Sequence, residues 1–300
     1  MVTEDTAAAD KKRLAELIGS LAKAQGITPT CVPGVRLMMA NCSCRRAKTV
    51  YEPSIVIVAQ GRKRGYVGED VYTYDPDNYL VLSVPLPFEC ETEAGPDGPL
   101  LGLSVSVDHI MLGELLMEMD EGAPPAEMPR GLYATRLTQE LRGAAIRLVE
   151  SMRSPLDGRM LGRQIVREIV YRVLCGEQGG ALRAVAARHS GFGQIARVLK
   201  RIHSEYDQAL DIETLAREAG MSVSSFHQSF KAVTCTSPIQ YLKSIRLHKA
   251  RLMMLQDGYN ASTAAGRVGY QSPSQFSREF KRFFGHSPAE EAARLRGAEA

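Results

Sequence analysis

Two stretches near the C-terminus decide the fold: Ser222-Val-Ser-Ser-Phe-His-Gln-Ser-Phe-Lys231 and Ser272-Pro-Ser-Gln-Phe-Ser-Arg-Glu-Phe-Lys281. They align at an offset of 50 residues, and Ser237-Pro238 recurs as Ser287-Pro288 at the same offset. Ser222 suits a helix N-cap. Ser272 does too, with Pro273 at the first helical position. The paired phenylalanines, Phe226/Phe230 and Phe276/Phe280, are four apart and predict one buried stripe on each helix. Ser224, Ser225, His227, Gln228 and Lys231 then fall on or near the outer face of the first helix. Ser274, Gln275, Arg278, Lys281 and Arg282 lie outside the stripe of the second.

Upstream of the first stretch, Leu215 and Ala219 share a face and Ala216 is small enough to admit a crossing helix. Gly220 stands where a positive φ is needed, and Gly269 does so in the second copy. Helix, tight turn and second helix make a helix-turn-helix, whose second helix suits a major groove. Arginine can meet guanine bidentately and glutamine suits adenine. Lys281 and Arg282 are placed to hold phosphate. Between the copies, Ile239 to Gln256 predicts one helix of about 17 residues, roughly 26 Å long. Such a spacer would set two readers near one DNA turn apart, about 34 Å.

Charge supports this division. The 300 residues carry a net +3, but residues 188–300 hold +6 and residues 1–187 hold −3. A basic C-terminal third predicts a polyanionic partner for that third alone. Hydrophobic residues at 44% and charged residues at 24% are the balance of a globular protein, not of a disordered or collagen-like chain. No run of about 18 apolar residues exists, so the sequence predicts no bilayer span and no membrane partner. Met1 to Lys12 lacks the apolar segment of a signal peptide. Six cysteines are too few for a disulfide scaffold and predict reduced thiols in a cytoplasm.

The N-terminal part changes character twice. Residues 10 to 25 have helical spacing, ending at Gly26. From Thr30 to about Val107, short apolar runs such as Ser54-Ile-Val-Ile-Val-Ala alternate with turn residues. These include Asp75-Pro76-Asp77-Asn78 and Gly95-Pro96-Asp97-Gly98. That pattern predicts a small sandwich or barrel. Asp108 to Met119 predicts an amphipathic helix, Gly122 to Pro129 a loop, and Thr138 to Met152 and Met160 to Cys175 further helices. The overall class is α+β. A helical arm takes 1–29, a β-rich domain 30–125, a helical linker or dimerisation region 126–190, and a double helix-turn-helix module 191–300. Arg62-Lys63-Arg64 reads as a solvated hairpin tip, with a phosphate-bearing ligand as the sharper alternative. Around Cys42-Ser-Cys44, an extended chain would place Met38, Ala40, Cys42 and Cys44 on one face. Pocket lining is one reading of those thiols. A reactive thiol, activated by Arg45, Arg46 and Lys48, is another. A zinc site would need about four ligands, and the other candidates are scattered. No Gly-x-Ser-x-Gly, P-loop or dinucleotide fingerprint is present, so no catalytic residue and no cofactor is expected.

The residues from Gly269-Tyr270 through Ser274-Gln-Phe-Ser-Arg-Glu-Phe-Lys-Arg282, with Phe284-Gly285 and Ser287-Pro288, resemble the DNA-binding region of the AraC/XylS family of bacterial transcription regulators. The resemblance covers about residues 193–296. Tyr51-Glu52-Pro53-Ser54, Gln60-Gly61-Arg62-Lys63 and Tyr79-Leu80-Val81-Leu82-Ser83-Val84 are similar to the cupin-like sensor domain of one subgroup. The resemblance implies a regulator, not an enzyme. Enzymatic cupins hold metal through clustered histidines, and residues 30–107 contain none.

It further implies that Ser224, His227 and Gln228 face bases in the first motif, and Pro273, Ser274, Gln275 and Arg278 in the second. Family members often carry Arg or Lys where Gln228 stands. The implied partners are double-stranded promoter DNA, RNA polymerase in an activating role, a second copy of the chain, and a small organic effector such as an aldehyde or related metabolite. Met38, Cys42, Cys44, Tyr51, Phe88 and Cys90 are the pocket candidates. Leu112, Leu115, Leu116 and Met119 are dimer-face candidates, with packing on their own domain as the alternative. Two other functions stay open: a thiol-based redox or electrophile sensor using Cys42 or Cys44, and a cupin-like small-molecule binder or enzyme that does not touch DNA.

Overall fold

The computed structural model describes residues 2–95, 98–119, 128–187 and 190–296. It divides into two compact units, residues 1–47 with 51–193, and residues 194–300 with 48–50.

The first unit opens with α1 (Val2–Leu21). Nine strands follow: β1 (Gly26–Pro29), β2 (Val35–Ala40), β3 (Cys44–Tyr51), β4 (Ser54–Gln60), β5 (Arg62–Val67), β6 (Asp70–Tyr74), β7 (Asn78–Leu82), β8 (Leu86–Glu93) and β9 (Leu100–Ser106). After them come α2 (His109–Glu118), β10 (Leu132–Arg136), α3 (Gln139–Ser151), α4 (Pro155–Cys175) and α5 (Gly180–Ala186). The strands form a six-stranded sheet, β1-β2-β9-β4-β7-β10, and a four-stranded sheet, β3-β8-β5-β6.

Two strands show how composition assigns each sheet its place. β4 is buried along nearly its whole length. A strand covered on both faces reads as a continuous apolar run. Ile55, Ile57 and Ala59 join the helical core with Leu14 and Ile18 of α1, Leu148 and Val149 of α3, and Ile169 and Val173 of α4. Val56 and Val58 are buried on the opposite face. β8 instead alternates: Leu86, Phe88, Cys90 and Thr92 are buried, while Glu89, Glu91 and Glu93 are not. It therefore covers the interior with one face and meets solvent with the other. Close approach also matters. A Cβ on Gly162 of α4 would stand 2.5 Å from Val32 Cγ2, so only glycine lets α4 lie against the loop before β2.

Several expectations are corrected. β10 lies within the stretch read as a helical linker. It pairs antiparallel with β7, Leu132 opposite Leu82. α3 and α4 pack into the core of the sheet unit rather than standing apart from it. Of the dimer-face candidates, Leu112 and Leu115 are buried with Met111, and Leu116 and Met119 pack partly against the same core. The exposed apolar side chains of α2 are Ile110 and Met117. Arg62-Lys63-Arg64 is no hairpin tip but the start of β5. The first helix begins at Val2 and ends at Leu21, and Gly26 opens β1. The loop expected over Gly122 to Pro129 falls mostly outside the described residues, as do Pro96 and Asp97.

The second unit is helical: α6 (Gly191–Ser204), α7 (Ile212–Glu218), α8 (Val223–Thr234), α9 (Pro238–Gln256), α10 (Ala261–Arg267), α11 (Pro273–Phe284) and α12 (Pro288–Arg296). α7–α8 and α10–α11 are the two helix-turn-helix copies. α9 spans 19 residues, roughly 28 Å at the α-helical rise. No helix among the described residues is long and apolar enough to cross a membrane.

Candidate nucleic-acid interface and effector cluster

Each recognition helix starts where a serine stops the backbone donors from going unpaired. Ser222 accepts from Ser225 N at 3.2 Å, and Ser272 accepts from Gln275 N at 3.2 Å. Both cap residues have extended backbone, which turns the chain into the helix. The preceding turns use left-handed glycines, Gly220 at φ +65° and Gly269 at φ +83°. The second turn holds one residue more, because the glycines are 49 apart and the capping serines 50.

Phe226, Phe230, Phe276 and Phe280 are fully buried. They build the core, which leaves the opposite faces free. On α8, Ser224, Gln228 and Lys231 are exposed and His227 is half-buried; on α11, Pro273, Ser274, Gln275, Arg278, Lys281 and Arg282 are all exposed. At matched positions, Gln228 corresponds to Arg278 and Ala232 to Arg282. Neither Arg278, Lys281 nor Arg282 forms an ion pair among the described residues. Three cations thus stand on one helix without an ion pair among the described residues.

The second copy also has a polar brace that the first lacks. Glu279 accepts from Lys243 Nζ of α9 at 2.8 Å, from the Tyr270 hydroxyl at 2.8 Å and from Gln275 Nε2 at 3.2 Å. Burial pushes its carboxyl up, but these donors outweigh burial and hold it below the usual carboxylate range. The matching residue in the first copy is Ser229. Arg246 of α9 donates to the carbonyls of Tyr206 at 2.7 Å, Gln208 at 2.8 Å and Gly269 at 3.5 Å. The spacer helix is thereby fastened to the second turn.

In the first unit, three of the pocket candidates meet. The Tyr51 and Phe88 rings pack edge to face at 4.8 Å, and the Tyr51 hydroxyl lies 3.8 Å from Cys90 Sγ. Tyr74, missed by the sequence reading, is fully buried with its hydroxyl 3.3 Å from the same sulfur. Met38 lies elsewhere, on β2 of the six-stranded sheet, over Gly102. Cys42 and Cys44 are exposed. The chain bends at Asn41-Cys42 and β3 starts only at Cys44, so the single extended face expected from Met38 to Cys44 does not form.

The residue missed most clearly is Lys63. It pairs in register with Thr92 on one side and Tyr74 on the other. Its Nζ donates to Thr92 Oγ1 at 2.9 Å. Burial pushes the ammonium down, but Tyr51 and Cys90 outweigh it and hold its pKa above the ordinary lysine value. Burial pushes the Tyr51 and Tyr74 phenols up. The cluster is therefore a charged ammonium among neutral hydroxyls. The signal that could have found it is strand parity. Arg62 and Arg64 point outward, where Arg62 approaches Asp75 at 3.6 Å and Arg64 approaches Glu91 at 3.4 Å and Glu93. Lys63, between them, points inward. A separate cleft of about 400 Å³ lies at the rim, lined by Gln60, Gly61, Arg62, Glu93 and Gly95 among others.

Comparison with known proteins places these features. Residues 31–181 match the family model described as the AraC-type transcriptional regulator N-terminus, and residues 215–294 match a helix-turn-helix domain. The HTH-type transcriptional regulator AlkR of Acinetobacter baylyi is 33% identical over 95 residues, 32% of this chain and 31% of that protein. The RCS-specific HTH-type transcriptional activator RclR of Escherichia coli is 34% identical over 103 residues, 34% of this chain and 36% of that protein. The match thus spans only about a third of the length of either relative. An apo ToxT variant from Vibrio cholerae strain SCE256 superposes with a TM-score of 0.58 at 10% identity, over 90% of this chain and 98% of that one, a likeness of fold. One family model covers half of the chain and a helix-turn-helix model most of the remainder, and the chain belongs to the family of AraC-type transcriptional regulators, a family of regulators and not of enzymes.

Proposed function

We propose that the protein is a cytoplasmic, sequence-specific DNA-binding regulator whose second unit reads promoter DNA through α8 and α11 and whose first unit binds a small organic effector. The observation that carries this reading is the outer face of α11, where Arg278, Lys281 and Arg282 are exposed without ion-pair partners among the described residues. Arg278 and Gln275 have the chemistry to read base edges, and Lys281 and Arg282 to hold phosphate. Ser224, His227, Gln228 and Lys231 are the matching set on α8, with Pro273 and Ser274 at the start of α11. The effector acts by preferring one of two arrangements of the protein. RNA polymerase and a second copy of the chain complete the proposed assembly.

Fluorescence anisotropy of the chain on its own upstream DNA, at several salt concentrations, tests this. Phosphate contacts predict a steep salt slope, and Lys281→Ala or Arg282→Ala should each lower that slope by about 1 without changing sequence preference. A flat salt response sinks the reading.

A second reading rests on its own observation, the exposure of Cys42 and Cys44 beside Arg45 and Arg46. In that reading the first unit senses an oxidant or electrophile. An unchanged inducer response in the Cys42→Ser, Cys44→Ser double variant removes it.

A further inference from the structure

The outer face of the four-stranded sheet balances its charges. Arg46 pairs with Glu89 and stacks over Tyr66 at 4.1 Å, Arg64 pairs with Glu91 and Glu93, and Tyr66 donates to Glu91 at 2.6 Å. The inner face does not. Lys63 donates to Thr92, and no carboxylate among the described residues lies within ion-pair distance of it. An ammonium has three N–H donors, and one is committed to the Thr92 hydroxyl. A half-buried cation without a counter-charge gives up part of its hydration with no ion pair in return. Substitution by an apolar side chain of equal reach would remove that burden, so its presence points to a ligand.

The surroundings define the ligand's chemistry. Tyr51 and Tyr74 are neutral hydroxyls able to donate, Cys90 is a soft neighbour, and Phe88 supplies an apolar wall against Tyr51. Lys63 and Tyr51 are half-buried rather than sealed, so a ligand can reach them. A carboxylate satisfies a remaining ammonium donor and accepts from the hydroxyls, while an apolar body rests on Phe88. An alcohol or amide meets the hydroxyls but leaves the charge unmatched. We infer that Lys63 anchors the carboxylate of a small organic acid, and that this acid is the effector of the first unit. The inference rests on the proposed regulatory function and names the effector class and its anchoring residue.

Ligand-observed NMR and calorimetry on the full chain test it with octanoate and benzoate, each against its own amide. A charge-assisted contact predicts that the acid binds at least about tenfold more tightly than the amide. Lys63→Met should erase this preference and Lys63→Arg should keep it. Lys63→Met should also melt no lower than the parent, because it relieves an unpaired charge. A lysine that merely holds the fold predicts the reverse. Acid and amide binding alike, no binding of either, or a lowered Tm in Lys63→Met with its acid preference intact overturns the assignment. Anisotropy on upstream DNA then separates the two readings. Acid that binds through Lys63 and shifts DNA affinity supports the effector role. Acid that binds while DNA affinity stays fixed overturns that role. Absence of any DNA binding, with the acid preference intact, supports the carboxylate site and counts against the regulatory reading.

Discussion

The two helix-turn-helix copies share a plan and differ in strength. Both start with a serine cap, bury two phenylalanines and end in a left-handed residue. Yet α11 presents Arg278 and Arg282 where α8 presents Gln228 and Ala232, and Glu279 braces one copy where Ser229 stands in the other. The repeated positions carry the fold, and the varied ones carry the difference in electrostatics and anchoring. The second copy is therefore the better built for gripping a polyanion.

The sharpest break between the copies should come at the turn glycines. A Cβ on Gly269 would sit 2.4 Å from the Asp207 carbonyl oxygen, at φ +83°, whereas one on Gly220 meets nothing closer than 3.8 Å. Gly269→Ala should cost about 3 kcal/mol, combining left-handed strain with a backbone clash, and Gly220→Ala about 1 kcal/mol. Urea unfolding of the two variants measures both, and equal losses would contradict the unequal turns. Next, Arg278→Ala should weaken DNA binding by about 1–3 kcal/mol and relax preference at one base, while Gln228→Ala should cost less than about 1 kcal/mol. Anisotropy on base-substituted duplexes reads this out. Equal effects would make the two readers equivalent.

Glu279→Gln should cost about 1–2 kcal/mol at neutral pH through its charge-assisted bonds. The folded carboxyl lies below its unfolded value, so its contribution is full above the unfolded pKa and fades as pH falls through the folded one. Parent and variant should converge in acid, and a constant gap across pH would show that charge is not what the brace supplies. The smallest effect concerns the helix ends. Cys235 has φ +58° where the second copy has Gly285 at φ +84°. Cys235→Gly should raise stability by about 0.5–1 kcal/mol, net of the unfolded-chain entropy of glycine. A fall in Tm would mean that the Cys235 side chain contributes packing worth more than its strain.

Features set by near neighbours were legible in the sequence. The caps at Ser222 and Ser272 and the Phe pairs each declare themselves within a turn of helix. β4 was legible because Ser54-Ile-Val-Ile-Val-Ala admits little besides a strand covered on both sides. Features set by distant partners were not. β10 is only Leu-Tyr-Ala-Thr-Arg, and it is a strand because β7, some fifty residues earlier, pairs with it. Lys63 looked like one more charge in a basic run because its direction depends on the register with Thr92 and Tyr74. Cys42 and Cys44 were misplaced because a bend at Asn41-Cys42 breaks the alternation on which the expectation relied.

Both helix-turn-helix copies hang from α9, which Lys243 and Arg246 tie to the second copy and which the Tyr241 ring joins to the first, 5.4 Å from Phe230. On the proposed reading, once α11 has engaged a duplex, α8 is held beside the neighbouring groove at a high effective concentration, on the order of millimolar for a well-matched tether. A helix with a single exposed lysine need not capture DNA unaided. Its weak contacts can be spent on discrimination while the stronger partner supplies residence time.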